Sequence, residues 1–306
     1  MADKLPSEIL KKISIDLSPN DLYAAVRVCH SWNIAFIPTL YGVVDIRSYR
    51  QFKRFIATLR DSENLNARGH LLRILKLSFD FGVPSESDYD YNVFSKNAWK
   101  KYNLQFKLLF RLCPFVVEFN SCNGWSPAAL ENLQEWKHLT KLPSIVCQNP
   151  LPASSLDFFR NRLTRLTIAC AEFSEWKDVV TELPCIENLT LTYNGNWLFD
   201  SSYSSPDISI LDLERIHKAL RFLRSLTVGS LYLRGEIPND ITPCGTVHEL
   251  DLRPNSGYLW GRYVARKYTA LETLKISFTG INDEINEAEL MTLIKPCRHL
   301  KRFEYE

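Results

Sequence analysis

The 306-residue sequence predicts an α/β solenoid preceded by a small three-helix module, and three observations carry that expectation. First, the pattern L-x-x-L-x-L, with hydrophobic substitutions, starts ten times: at Tyr41, Leu72, Val116, Leu139, Leu163, Ile186, Leu223, Val247, Leu271 and Leu300. Second, successive starts lie 31, 44, 23, 24, 23, 37, 24, 24 and 29 residues apart, and the recurrent 23 and 24 fall inside the period of roughly 20–29 residues of a strand-based repeat. Third, the residues ahead of Tyr41 lack this pattern and instead hold three short apolar clusters, the first two at helical spacing.

Within the N-terminal module, Ile9, Leu10, Ile13 and Leu17 share one face of a first helix that starts beside Pro6. Ser18 offers an N-cap and Pro19 fills the first helical position, where no amide hydrogen is needed. Asp21 stands three residues on, as in a weakened capping box. The second helix then carries Leu22, Ala25, Val26 and Cys29 as its apolar positions. A third segment runs from Trp32 through Ile34 and Ile37 and is expected to stop at Pro38, because the residue before proline avoids helical angles. Each buried Leu or Ile stabilises by roughly 1.5–3 kcal/mol, so a core this small points to a partner surface.

Three runs stand in order: L-P-x-E-I-L (Leu5, Pro6, Glu8, Ile9, Leu10), S-P-x-D-L (Ser18, Pro19, Asp21, Leu22) and V-C-x-x-W (Val28, Cys29, Trp32). Together they resemble an F-box, over about the first 48 residues. The resemblance implies binding to a Skp adaptor and, through it, to a cullin-RING ubiquitin ligase. The adaptor-binding residues it implies are Leu5, Pro6, Ile9, Leu10, Ile13, Leu17, Leu22, Val28, Cys29 and Trp32, with Cys29 and Trp32 shared between core and interface. His30 stands where the family often has Lys or Arg.

Behind this domain, assigned to residues 1–40, the array occupies 41–306. Phe52, Phe55, Ile56 and Leu59 follow Ser48 at helical spacing, which makes 41–60 a strand-helix unit suited to capping the array. A helix is expected at about 127–137 after Ser126 and Pro127. Another follows Ser174, with Trp176, Val179, Val180 and Leu183 on one face, and a last one spans about 284–295 before Pro296. A strand plus a helix cannot bury its apolar side alone, so stacking creates the core. The stretches Cys113–Cys122 and Cys297–Phe303 resemble the irregular, cysteine-containing leucine-rich repeats found behind F-boxes. That likeness implies a horseshoe of about ten strand-helix units. The units at 116 and 139 are weakest, with Ser121 and Ser144 at the third apolar position.

In each strand the residues alternating with the inward leucines face away from the core. Arg165, Asn188, Glu249, Asp251, Arg253 and Lys275 are therefore candidate target-binding residues, a mixed-charge set suited to protein side chains. The steps of 44 and 37 residues are long enough to hold insertions, at about 78–98 and 194–209. Trp197 and Phe199 in the second are candidates too, either as an aromatic anchor for a partner or as packing beneath their own loop.

Composition removes several function classes. Lys and Arg total 37 against 35 Asp and Glu, a net charge of +2 that gives no footprint for nucleic acid or anionic membrane. The first dozen residues hold five charges and no unbroken apolar segment, so no signal peptide or spanning helix is expected, and residence is intracellular, cytoplasmic or nuclear. Eight cysteines without a C-x-x-C pair argue for reduced thiols, with no metal. No cofactor is expected: the nucleotide, metalloprotease and hydrolase signatures are absent, and nothing in the sequence pairs any of the six histidines with a nucleophile. The expected function is that of a non-catalytic substrate receptor of an SCF-type (Skp, cullin, F-box) ubiquitin ligase, binding an unidentified protein target. The alternative is a non-degradative scaffold bound to the Skp adaptor, or a leucine-rich-repeat interaction protein.

Overall fold

The computed structural model describes residues 5–60, 66–79, 93–94, 96–122, 124–125, 130–147, 153–170, 177–193, 207–229, 231–253, 258–277 and 295–305. The N-terminal module is formed by α1 (Ser7–Asp16), α2 (Pro19–Ala25) and α3 (His30–Gly42). At α2 the expected cap is present: Ser18 Oγ accepts from the Asp21 N–H at 3.2 Å and donates to the Asp21 carboxylate at 2.6 Å. Leu10, Leu22, Ala25, Ala35 and Phe36 close a small core, with Leu17, Val26, Trp32 and Leu40 packed at its margin. The third helix departs from expectation. It starts at His30 and runs through Pro38 to Gly42 rather than stopping at the proline. Pro38 withdraws one amide from the helix, but the carbonyl that loses its donor belongs to Ile34, a residue on the exposed side of the helix.

From Gly42 the chain passes directly into β1 (Val43–Ile46), followed by α4 (Tyr49–Arg60), a short α5 (Asn66–Gly69) and β2 (Ile74–Leu77). Helix α4 buries Phe52, Ile56 and Leu59, and Ser48 Oγ accepts from the Gln51 N–H at 3.2 Å. Then come β3 (Val93–Phe94), α6 (Lys96–Leu112), β4 (Glu118–Ser121), β5 (Gly124–Trp125), β6 (Ile145–Cys147) and β7 (Arg165–Cys170). The chain continues through α7 (Lys177–Thr181), β8 (Asn188–Tyr193), β9 (Asp207–Ser209), α8 (Ile210–Ala219), β10 (Ser225–Gly229) and β11 (Tyr232–Arg234). It ends in β12 (Glu249–Arg253), α9 (Tyr258–Lys267), β13 (Thr273–Ile276) and β14 (Arg302–Tyr305).

All strand pairings among these elements are parallel, and each repeat strand lies beside the next one in sequence. Register follows the leucine pattern. Leu166, Leu189, Leu226, Leu250, Leu274 and Phe303 form one column, while Ile168, Leu191, Val228, Leu252, Ile276 and Tyr305 form the next. Both columns are buried as far as β13. The unit at 139 departs from this regularity. Pro143 has no N–H to give a ladder, so Lys141 makes only single bridges, to Glu118 and to Arg165, and pairing resumes at Ile145 beside Ile168. Beyond it β6 pairs with β7, β5 with β6 and β3 with β5; these three strands were not anticipated from the sequence, nor was the two-stranded β9–β11 pair.

The connections are less helical than expected. The segment predicted as a helix at 127–137 is a 3-10 helix at Glu131–Glu135, and a second 3-10 helix lies at Ala153–Phe159. Among the described residues, the connection from β10 to β12 holds β11 and no helix. The helix after Ser174 is short, with Val179, Val180 and Leu183 buried; Ser174 and Trp176 lie outside the described residues, as does most of the segment at 284–295. The architecture is therefore an N-terminal helical module followed by a parallel-sheet α/β region. One contiguous core runs along that region from Ile46 to Cys297.

Candidate interaction surfaces

The ten residues expected to meet an adaptor separate into two groups. Leu10 and Leu22 are enclosed in the module's own core and Leu17 and Trp32 pack on its margin, so they shape a surface more than they supply contact area. Trp32 meets Phe36 edge to face, with ring centroids 5.2 Å apart. Cys29 is half-buried and forms the N-terminal boundary of α3. The remaining five face solvent: Leu5 (42% exposed), Ile9 (42%), Ile13 (37%) and Val28 (56%), together with Pro6. Ile9 and Ile13 are one helical turn apart on α1 and lie at the exposed edge of the face whose buried member is Leu10.

The parallel register assembles the second candidate surface. Arg165, Asn188, Ser225 and Glu249 lie side by side across four strands, and Asp251 stands beside Lys275. Glu249 and Arg253 are exposed at the two ends of β12, with Asp251 half-buried between buried leucines. The charges are largely paired with one another. Arg253 Nη2 donates to Asp251 at 3.1 Å, and Lys275 Nζ lies 3.5 Å from the Glu304 carboxylate. At the irregular unit, Glu118 accepts from Lys141 Nζ at 2.6 Å and from Asn120 at 2.8 Å, with Arg165 3.9 Å away. Burial raises the Glu118 pKa, but Lys141, Asn120 and Arg165 outweigh it and hold the carboxyl below its usual range. Trp197 and Phe199 lie outside the described residues.

One of the histidines meets a cysteine across the fold. His217 on α8 does stand beside a cysteine: its Nδ1 is 3.9 Å from Cys244 Sγ, and its Nε2 is 2.9 Å from the Tyr268 hydroxyl. His217 and Cys244 line a cleft of about 720 Å³ against α8. Beneath it Lys267, 3% exposed, donates to Glu214 at 2.6 Å and to the Thr242 carbonyl at 2.9 Å, while Tyr263 donates to Glu214 at 2.8 Å. Burial, and then the Lys267 charge, push the His217 pKa down to about 3, so its ring is neutral at physiological pH. The signal that would have found this pair is the repeat period itself. Residues about 24 apart in such an array become neighbours, and Cys244 forms a parallel bridge with Tyr268.

Among the described residues no helix is long and apolar enough to cross a membrane, and no group of three or more His, Cys, Asp or Glu is placed to hold a metal ion. No curated protein matches the sequence. Among solved structures, the crystal structure of an internalin from Listeria monocytogenes is 11% identical, with 85% of this chain and 91% of that chain covered and a TM-score of 0.28. The F-box-like family model matches residues 2–47, a span that takes in all three helices and β1. The chain thus carries an F-box-like domain at its N-terminal end, continuous with a parallel-sheet α/β region.

Proposed function

We propose that this chain is the substrate-recognition subunit of an SCF-type ubiquitin ligase. The F-box-like domain binds the Skp adaptor, and the α/β region, a leucine-rich-repeat solenoid in this reading, holds a protein target. The observation that carries the proposal is the set of exposed apolar side chains Leu5, Ile9, Ile13 and Val28 on a domain whose own core is only five side chains. Grouped apolar side chains of this kind mark a surface meant for a partner.

The chain does no bond chemistry in this role. It raises the effective concentration of a target lysine near the charged ubiquitin carrier, with the adaptor and cullin at one end and the target at the other. The columns Arg165–Asn188–Ser225–Glu249 and Asp251–Lys275 supply alternating charge and hydrogen-bonding groups, which suits a protein surface.

Co-purification with the Skp adaptor tests the first half. Wild type binds, and Ile9→Asp/Ile13→Asp does not, although both side chains are exposed and the fold is retained by circular dichroism. Failure of the wild type to bind removes the proposal. The receptor role is tested by deleting the protein and measuring its captured partners: a target accumulates, whereas unchanged levels with intact cullin association leave only a scaffold.

A further inference from the structure

The chain as a whole is close to neutral, at +2, but its cations are not evenly spread. Helices α4 and α6 together hold nine Lys and Arg residues and no Asp or Glu. We propose that the outer faces of α4 and α6 form one docking surface for an acidic protein segment, a run of Asp and Glu laid in extended form along the seam between the two helices.

Aromatic packing fixes that seam. The Tyr49 ring meets the Tyr102 ring edge to face with centroids 5.2 Å apart, and Phe52 meets Phe106 at 5.7 Å. Three residues along α4 thus advance with four along α6, so the helices lie side by side and run the same way. Helices packed in this manner stand about 8–10 Å apart. Phe52, Ile56, Phe106 and Leu109 are buried in the core that also takes Leu75 and Leu77 of β2, so the opposite sides of both helices face away from the sheet. There Arg50, Lys53 and Arg54 of α4 are exposed, three and four residues apart, as are Lys100, Lys107 and Arg111 of α6, at steps of seven and four. Among the described residues none of these six joins an ion pair. Lys53 Nζ lies 4.6 Å from the centre of the Tyr49 ring, which places its charge at the seam. Lys107 and Arg111 share a cleft of about 450 Å³ with Glu135, which bounds the basic surface on that side.

The geometry selects the class of partner. From Lys100 to Arg111 the α6 row is about 16 Å long, the reach of about five extended residues. Successive side chains of an extended segment point to opposite sides, so its carboxylates would turn alternately to the α4 row and the α6 row. An anionic membrane fits less well, because among the described residues Leu104, 75% exposed, is the one large apolar side chain that these helices expose, too little for insertion. Single-stranded nucleic acid fits less well too, since the aromatic rings at the seam pack on one another and leave no platform for bases. The surface is distinct from the apolar side chains of α1, and its use requires neither adaptor nor ligase.

The test uses the full chain alone and a fluorescein-labelled hexaglutamate peptide, read by fluorescence anisotropy. Wild type should bind it, more weakly as sodium chloride is raised. Arg50→Glu/Lys107→Glu, at two exposed positions, should weaken binding about tenfold, while Arg50→Lys/Lys107→Arg and the matched reversal Lys218→Glu/Arg221→Glu on α8 should stay within about twofold of wild type. No binding by the wild type, or equal loss in the α8 variant, overturns the proposal. Tighter binding of an oligothymidylate of equal charge, or of phosphatidylserine vesicles, abolished by the same α4 and α6 reversal, overturns the assignment to a protein segment.

Discussion

At the scale of single residues, Glu118 shows how one carboxylate joins three repeats. It bridges Lys141 and approaches Arg165, where the ladder between β4 and β7 is reduced to isolated bridges. Its folded pKa lies below the unfolded value of about 4.3, so its contribution is present above that pH and is lost as the pH falls through the folded value. Glu118→Gln should therefore destabilise the protein by about 1–3 kcal/mol at neutral pH, and urea unfolding near pH 3 should show that difference shrinking. A difference that persists unchanged in acid would mean that shape, not charge, holds this junction. The pairing of Glu118 with Lys141 was not legible in the sequence, because Pro143 disguises the unit that brings Lys141 alongside. The Cys244–His217 pair was hidden for a related reason. The two are 27 residues apart in sequence, and only the three-dimensional stacking of the units that start at 186 and 223 makes them neighbours.

At the scale of elements, the sequence was most informative where one face is buried and least where backbone packing decides. Nine of the ten expected strand positions form strands, most of them alternating buried leucine-type residues with more exposed polar ones; the tenth is broken at Pro143. Caps at Ser18 and Ser48 were legible for the same local reason. The passage of α3 through Pro38 was not, since it depends on the exposure of the preceding turn. Backbone proximity at α5 was equally hidden. A Cβ on Gly69 would lie 2.1 Å from the Leu112 carbonyl oxygen at the end of α6, whereas one on Gly42 would meet nothing within 4 Å. Gly69→Ala should cost about 1–3 kcal/mol by forcing α5 away from α6, while Gly42→Ala should lie within about 0.5 kcal/mol of wild type. Thermal melts of the two variants make the comparison, and equal melting temperatures would show that α5 is free to move. Removal of the Ser18 cap by Ser18→Ala should cost about 1 kcal/mol, read as a lower urea midpoint for the helical module.

At the scale of the whole molecule, two cores of very different size share one chain. The small one holds five buried side chains, while the large one is continuous from Ile46 to Cys297. Their junction is short: α3 runs straight into β1, Arg73 N–H donates to the Gly42 carbonyl at 2.9 Å, and Arg68 donates to the Tyr41 hydroxyl at 3.0 Å. A core so small holds the module near the threshold of folding, whereas the array is supported on both sides at every internal strand. Phe36 fills the centre of the small core, and Phe36→Ala should remove about 3–5 kcal/mol from the module alone. Hydrogen exchange should then show the amides of α1, α2 and α3 losing protection while those of β8, β10 and β12 keep theirs. In the wild type, a bound Skp adaptor should slow exchange across the three helices and leave the strands unchanged, because a partner stabilises the unit it grips by mass action. Slowing spread evenly over helices and strands would mean that the Arg68–Tyr41 and Arg73–Gly42 contacts fuse the two cores into one cooperative unit, and adaptor binding would then stabilise the parallel-sheet region as well.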